Sequence, residues 1–170
     1  MTTIVAVEKD GKVKFAADTR ITTGWSKSDG WVSKIVHNGE VTFAAAGYLR
    51  AIQVLAYAKL SPLPEKATED LIDRYVTLEL VPAIREAFDA TGADKNALAG
   101  SRVLVSLLGR VYSVHGGDGS WIRNKEGIYA VGSGADWAIG ALSAGASPEE
   151  AIKIASKFDL YTNDDVRTAR

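Results

Sequence analysis

The stretch Thr2-Thr3-Ile4-Val5-Ala6-Val7-Glu8 constrains the fold most, because it is a β-branched, apolar run that turns back on itself at once. Asp10-Gly11 is a turn pair that closes hairpins, and Lys12 to Asp18 follows with Val13, Phe15 and Ala17 alternating against Lys12, Lys14 and Ala16. The alternation sets Phe15 toward a core and Asp18 on the opposite face. Everything downstream must pack against this antiparallel ribbon.

Thr19 to Gly30 is polar and turn-rich, with Trp25 and Trp31 as its bulky members, and reads as a loop. Ser33 to Val36 and Val41 to Gly47 read as a second hairpin around His37-Asn38-Gly39-Glu40, ending in small residues that permit close backbone approach. Tyr48, Ile52 and Leu55 then recur at helical spacing, and Ser61-Pro62 stops that segment. A longer helix is predicted from Thr68 to Ala90, kinked or split by Pro82 and ended by Thr91-Gly92. Arg102 to Leu108 and Val111 to His115 are strands about a Gly109-Arg110 turn, and Gly116-Gly117-Asp118-Gly119 is a further turn. A strand through Ile128 to Val131 reaches Gly132-Ser133-Gly134, and Ala135 to Ala144 is helical. Ser147-Pro148-Glu149-Glu150 is a capping box, with Ala151, Ile154, Ala155 and Phe158 as the buried stripe behind it. Strands, helices, strands, helices in that order give an α+β fold of antiparallel sheets with helices on their outer faces. That order permits a four-layer sandwich without selecting it.

The 170 residues fit one domain, 1–170, long enough to bury a substantial core. Twenty basic against twenty-one acidic residues leave a net charge of −1, which offers no footprint for nucleic acid or an anionic membrane. With no cysteine, disulfides, thiolate zinc sites and cysteine nucleophiles are excluded. No basic segment with an apolar core opens the chain, and no apolar run is long enough to span a bilayer, so a soluble, cytoplasmic protein is expected. His37 and His115 are isolated in sequence and read as surface or strand-end histidines rather than triad members or metal ligands.

A threonine directly behind the initiator can become an amino terminus and then carries its own base, since its α-amine can activate its hydroxyl. Such an amine has a pKa of roughly 8, so part of it is neutral near neutral pH. Many chains begin Met-Thr and use neither residue. The pattern of Thr2 alone leaves both readings open.

The ordered set Thr2-Thr3-Ile4-Val5-Ala6-Val7, Asp10-Gly11, Ala16-Ala17-Asp18-Thr19-Arg20, Thr22, Lys34-Ile35, Ala45-Ala46-Gly47, Val131-Gly132-Ser133-Gly134-Ala135 and Asp159-Leu160-Tyr161-Thr162-Asn163 resembles proteasome β-type subunits of the N-terminal-nucleophile (Ntn) hydrolases, and in length HslV-like subunits above all. The resemblance implies an αββα sandwich of two antiparallel sheets. It implies a threonine protease with Thr2 as nucleophile after removal of Met1, Lys34 favouring the neutral amine, and Asp18 holding Lys34. Outside that context Asp18 and Lys34 read first as an ordinary structural ion pair. Gly47 is the implied oxyanion donor, although a strand-to-helix turn glycine has the same form. Ser133 matches the serine beside the nucleophile's amine, where a glycine-flanked serine also serves as a cap. Asp159 and Thr162 correspond to the acid and hydroxyl that support it; the acid is a departure from the HslV pattern toward the proteasomal one. Ile21, Val32, Val36, Ala46 and Arg50 fall at positions that line the first specificity pocket in relatives, and Arg20 reads as structural support near the lysine.

No cofactor is required on this resemblance, though a monovalent cation such as Na+ is implied at loop carbonyls of Ser156, Asp159 and Thr162. The implied partners are further copies in stacked homo-oligomeric rings, a separate AAA+ unfoldase ATPase and polypeptide substrates. The ATPase must be separate because Gly116-Gly117-Asp118-Gly119 lacks the Gly-Lys-Ser/Thr ending of a phosphate loop. Two other functions fit the same sequence: a proteasome-fold ring subunit without turnover, and an Ntn amidase acting on a small amide.

Overall fold

A computed structural model describes residues 2–24, 26–29, 32–92 and 95–170, so Met1, Trp25 and Trp31 lie outside the described residues. The first half of the chain carries strands β1 (Thr3–Lys9), β2 (Lys12–Asp18), β3 (Arg20–Thr23), β4 (Ser26–Asp29), β5 (Ile35–Asn38) and β6 (Val41–Ala46). Helices α1 (Leu49–Leu55), α2 (Glu69–Tyr75), α3 (Val81–Ala90) and α4 (Lys95–Ala99) follow. The second half carries β7 (Arg102–Leu107), β8 (Arg110–His115), β9 (Trp121–Ile122), β10 (Ile128–Gly132), α5 (Ala135–Ser143), α6 (Pro148–Ala155) and β11 (Val166–Ala169).

Two antiparallel sheets result, one ordered β10-β1-β2-β11 and the other β5-β6-β7-β8-β9, with β3-β4 as a separate hairpin. Each strand's period of two decides which layer its side chains join. On β1, Ile4 and Ala6 pack between the sheets against Ala44, Leu104 and Val111, while Val5 packs outward under α5 and α6 with Ala138 and Ile152. On β6, Ala44 and Ala46 face the other sheet, while Phe43 and Ala45 face α1 to α3. Every residue of β6 is therefore buried. Read outward, the layers are α1–α3, five-stranded sheet, four-stranded sheet, α5–α6. This is the expected αββα sandwich.

The turn Asp10-Gly11 closes β1 on β2 with φ of 52° and 69°, the geometry whose twist matches the strands. The β7–β8 turn departs from expectation: it is Leu108-Gly109, not Gly109-Arg110, with φ of 50° and 75°, so glycine takes the second place of a type I′ turn. A Cβ on Gly109 would stand 2.3 Å from the Gly11 carbonyl oxygen, so the two turns abut. Residues 20–29, expected as loop, form the β3–β4 hairpin. The helical stretch from Glu69 to Ala90 is neither split nor sharply ended at Pro82; a π-helical turn, Val76–Leu80, precedes it. Such a turn accommodates a proline that can neither donate to the preceding ladder nor clear the carbonyl before it. The Thr77 hydroxyl donates to the Asp73 carbonyl at 2.7 Å within this stretch. The capping box at Ser147 and Glu150 forms as expected, but Phe158 is exposed, stacked on Trp137, and Ile152 takes the buried place instead.

Candidate active site

Thr2 enters the sandwich at the end where both sheets open, and it is 4 % exposed. Two structural facts fix it there. Its carbonyl accepts from the Ser133 backbone N–H at 2.8 Å, just past Gly132, which pairs with Thr3 across β1 and β10. Gly132 has φ of 104°, and a Cβ there would fall 1.9 Å from the Thr2 oxygen, so only glycine lets the strands approach this closely.

Asp18, the last residue of β2, is the hub on one side. Its Oδ1 accepts from the Thr2 hydroxyl at 2.6 Å, the Thr3 N–H at 2.8 Å and the Lys34 ammonium at 2.7 Å. Its Oδ2 accepts from the Arg20 N–H at 3.1 Å. Lys34 reaches this carboxylate from the residue before β5, so the pair joins the two sheets. Burial is the largest influence on Lys34 and holds its pKa below the ordinary lysine value, against the upward pull of Asp18; Arg20 adds a further downward push.

On the other side a chain of hydroxyls converges on Asp159. Ser133 Oγ donates to Asp159 Oδ2 at 2.7 Å, and Thr162 Oγ1 donates to the same oxygen at 2.5 Å. With that proton committed, Thr3 Oγ1 donates to Thr162 Oγ1 at 2.6 Å. Gly134 permits the crossing, because a Cβ on it would stand 2.1 Å from Thr3 Oγ1. Arg20 binds the same loop from outside, donating to the carbonyls of Leu160 at 3.0 Å and Thr162 at 3.1 Å. Thr3, which touches both Asp18 and Thr162, was not singled out in the sequence; its place next to Thr2 was the one available signal.

Gly47 sits between β6 and α1 with φ of 121°, and a Cβ there would meet the Gly100 carbonyl oxygen at 2.7 Å. Thr2 and Gly47 both line two cavities. The first, about 440 Å³, is walled by Ile21, Lys34, Ala45, Leu49 and Ile52, among others. The second, about 430 Å³, is walled by Ala46, Ala99, Gly100, Arg102 and Gly132. Of the five residues expected around the first pocket, the structure brings Ile21 there. Ala46 lines the second cavity instead. Val32 and Val36 pack against the helix-side core, since Ile35 faces between the sheets and its neighbour Val36 must face away. Arg50 faces a separate cavity between α1 and α3. Ala45, Leu49 and Ile52 take these places; the i, i+3 spacing of Leu49 and Ile52 behind an inward Ala45 was the usable signal.

In the loop expected to hold a monovalent cation, two of the three carbonyls have hydrogen-bond partners. The Asp159 carbonyl accepts from the Thr162 N–H at 3.2 Å, the Thr162 carbonyl accepts from Arg20, and Ser156 Oγ donates to the Lys153 carbonyl at 2.8 Å. Of the three expected carbonyls, that of Thr162 has a guanidinium beside it. Among the described residues no helix is long and apolar enough to cross a membrane.

The chain is 31% identical to the ATP-dependent protease subunit HslV of Aquifex aeolicus, across 96% of this chain and 93% of that one. It is 27% identical to the subunit of the same name from Treponema denticola, across 98% and 94%. Among solved structures, Thiobacillus denitrificans BPH in complex with epoxomicin superposes with a TM-score of 0.78 at 21% identity, covering 99% of this chain and 97% of that one, which shows a common fold. No family model matches the chain.

Proposed function

The chain belongs to the HslV family of ATP-dependent protease subunits, and from that premise we propose that it is a threonine peptidase whose nucleophile is Thr2, freed as the amino terminus by removal of Met1. The observation that carries this reading is the position of the Thr2 hydroxyl, buried 2.6 Å from the carboxylate oxygen it shares with Lys34 and bordering two cavities.

In the proposed reaction the free α-amine takes the hydroxyl proton as Thr2 Oγ1 attacks a peptide carbonyl. The developing oxyanion is received by the Gly47 N–H, the C–N bond breaks, and the amine returns its proton to the leaving nitrogen. Water, deprotonated by the same amine, then hydrolyses the ester. Lys34 keeps the amine neutral by like-charge repulsion, and Asp18 holds Lys34 and the hydroxyl in place. Ser133, Asp159 and Thr162 fix the backbone around the terminus. The apolar wall of Ile21, Ala45, Leu49 and Ile52 suits an apolar side chain on the acyl side.

The proposed setting is a chamber of stacked homo-oligomeric rings in the cytoplasm, fed with unfolded chains by a separate AAA+ ATPase; a monomer in light scattering at working concentration would contradict it. No cofactor is required, and a monovalent cation has no step in the reaction. The deciding experiment compares two preparations, one beginning at Thr2 and one keeping Met1. The first hydrolyses an apolar peptide amide and the second is silent, because a retained Met1 turns the base into an amide nitrogen. Equal rates would remove Thr2 as an amino-terminal nucleophile, and silence in both with intact rings would assign a ring subunit without turnover.

A further inference from the structure

We propose that the second cavity receives the leaving-group side of the substrate and that Arg102 at its edge selects fragments carrying a carboxylate there. The inference rests on the reading of Thr2 as nucleophile. An amide lying across Thr2 places its acyl side chain in one cavity and directs its leaving amine toward the other. The first cavity holds Lys34 and the apolar wall; the second has a floor of small residues, Ala46, Gly47, Ala99, Gly100 and Gly132, over which a peptide backbone can run.

Arg102 is the first residue of β7, directly opposite Ala46 on one side and His115 on the other. Directly opposed residues share a face, and Ala46 faces between the sheets, so Arg102 belongs to the inter-sheet face at the end where the sandwich opens. It is the one charged residue among those lining the cavity. Its guanidinium donates from Nη1 to His115 Nδ1 at 2.8 Å, and among the described residues no carboxylate pairs with it. The other arginines close to carboxylates or carbonyls in this fold are already engaged, Arg123 by Glu8 and Glu69, Arg20 by Leu160 and Thr162. An exposed guanidinium with no carboxylate on its fork is a group that a carboxylate matches well. That carboxylate has two sources: an acidic side chain on the first residue beyond the scissile bond, or the free terminus of a one-residue leaving group.

The test uses the assembled chain beginning at Thr2 and peptides with one fixed apolar acyl side. Two continue as Asp-Ala-Ala-amide or Asn-Ala-Ala-amide, and two end in a single alanine as the acid or the amide. The acid form of at least one pair is cleaved about three- to fivefold better in kcat/KM, mainly through KM, the size expected of an exposed charge pair. Which pair responds identifies the source. Arg102→Gln equalises the pair, Arg102→Glu reverses it, and the preference falls as ionic strength rises. Identical rates within both pairs, or a preference that survives Arg102→Gln, overturn the proposal. A readout without turnover separates it from the nucleophile reading: the product peptide Asp-Ala-Ala-amide binds more tightly than Asn-Ala-Ala-amide, and Arg102→Gln removes the difference. If neither product is favoured and neither acid peptide is cleaved faster, Arg102 has no such role; if no peptide is cleaved yet the binding difference stands, the failure lies with Thr2.

Discussion

On one flank of Thr2 a buried carboxylate, Asp18, is answered by a buried cation 2.7 Å away; on the other a buried carboxylate, Asp159, is answered by the hydroxyls of Ser133 and Thr162. The two flanks differ in what the loss of one partner leaves behind. Deleting half of a buried ion pair strands a charge, a loss of about 3–5 kcal/mol, whereas deleting one hydroxyl from a shared carboxylate costs about 1–3 kcal/mol because other donors remain. The ion-paired flank bears on the hydroxyl and its proton, and the hydroxyl-lined flank on the position of the backbone that carries them.

Asp18→Ala is expected to do most damage, lowering peptide turnover about a thousandfold and unfolding free energy by about 3–5 kcal/mol in urea titration. A stable, half-active Asp18→Ala chain would end the distinction between the flanks. Lys34→Ala is next, with turnover reduced about a hundredfold or more. It also carries a pH signature: without the neighbouring positive charge the protonated amine is less disfavoured, its pKa climbs toward roughly 8, and the acid limb of kcat/KM moves to higher pH. A limb that stays in place would make Lys34 a structural partner only. Asp159→Asn keeps an acceptor but loses the charge, for about a tenfold loss of turnover and about 1–2 kcal/mol, and any movement of the acid limb is to lower pH, opposite to that of Lys34→Ala. Ser133→Ala should cost least, under about tenfold and about 1 kcal/mol. If Ser133→Ala instead matched Asp18→Ala, the hydroxyl chain would have to touch the reacting atoms.

What could be read in advance followed local rules. Asp10-Gly11 and the Ser147 capping box are short-range signals, and both formed as predicted. The β3–β4 hairpin was illegible because Ser26-Lys27-Ser28-Asp29 has poor strand propensity and is made a strand by pairing with residues 20–23, not by its own pattern. Leu108 misled for the opposite reason: an apolar residue is a rare choice for positive φ, and the adjoining Gly11 backbone leaves glycine only the second place. Around Thr2, the polar residues were named through the family resemblance, each having an ordinary structural reading of its own, while the apolar walls were misplaced by a strand parity that depends on which face of β5 meets the helices. Val36 turned away for that reason alone.

The strand β11 bears on the order in which the molecule can come into being. Val166 pairs with Asp18 on the outer edge of β2, and the Asp165 carbonyl accepts from the Thr19 N–H at 3.2 Å, so the strand bearing the Asp18 carboxylate is flanked by residues that leave the ribosome after every other strand described. Ser133, Asp159 and Thr162 are late arrivals as well. Thr2 therefore leaves the ribosome well before the Ser133, Asp159 and Thr162 that surround it in the fold. On the proposed reading, the site is assembled only once the last described strand has been made.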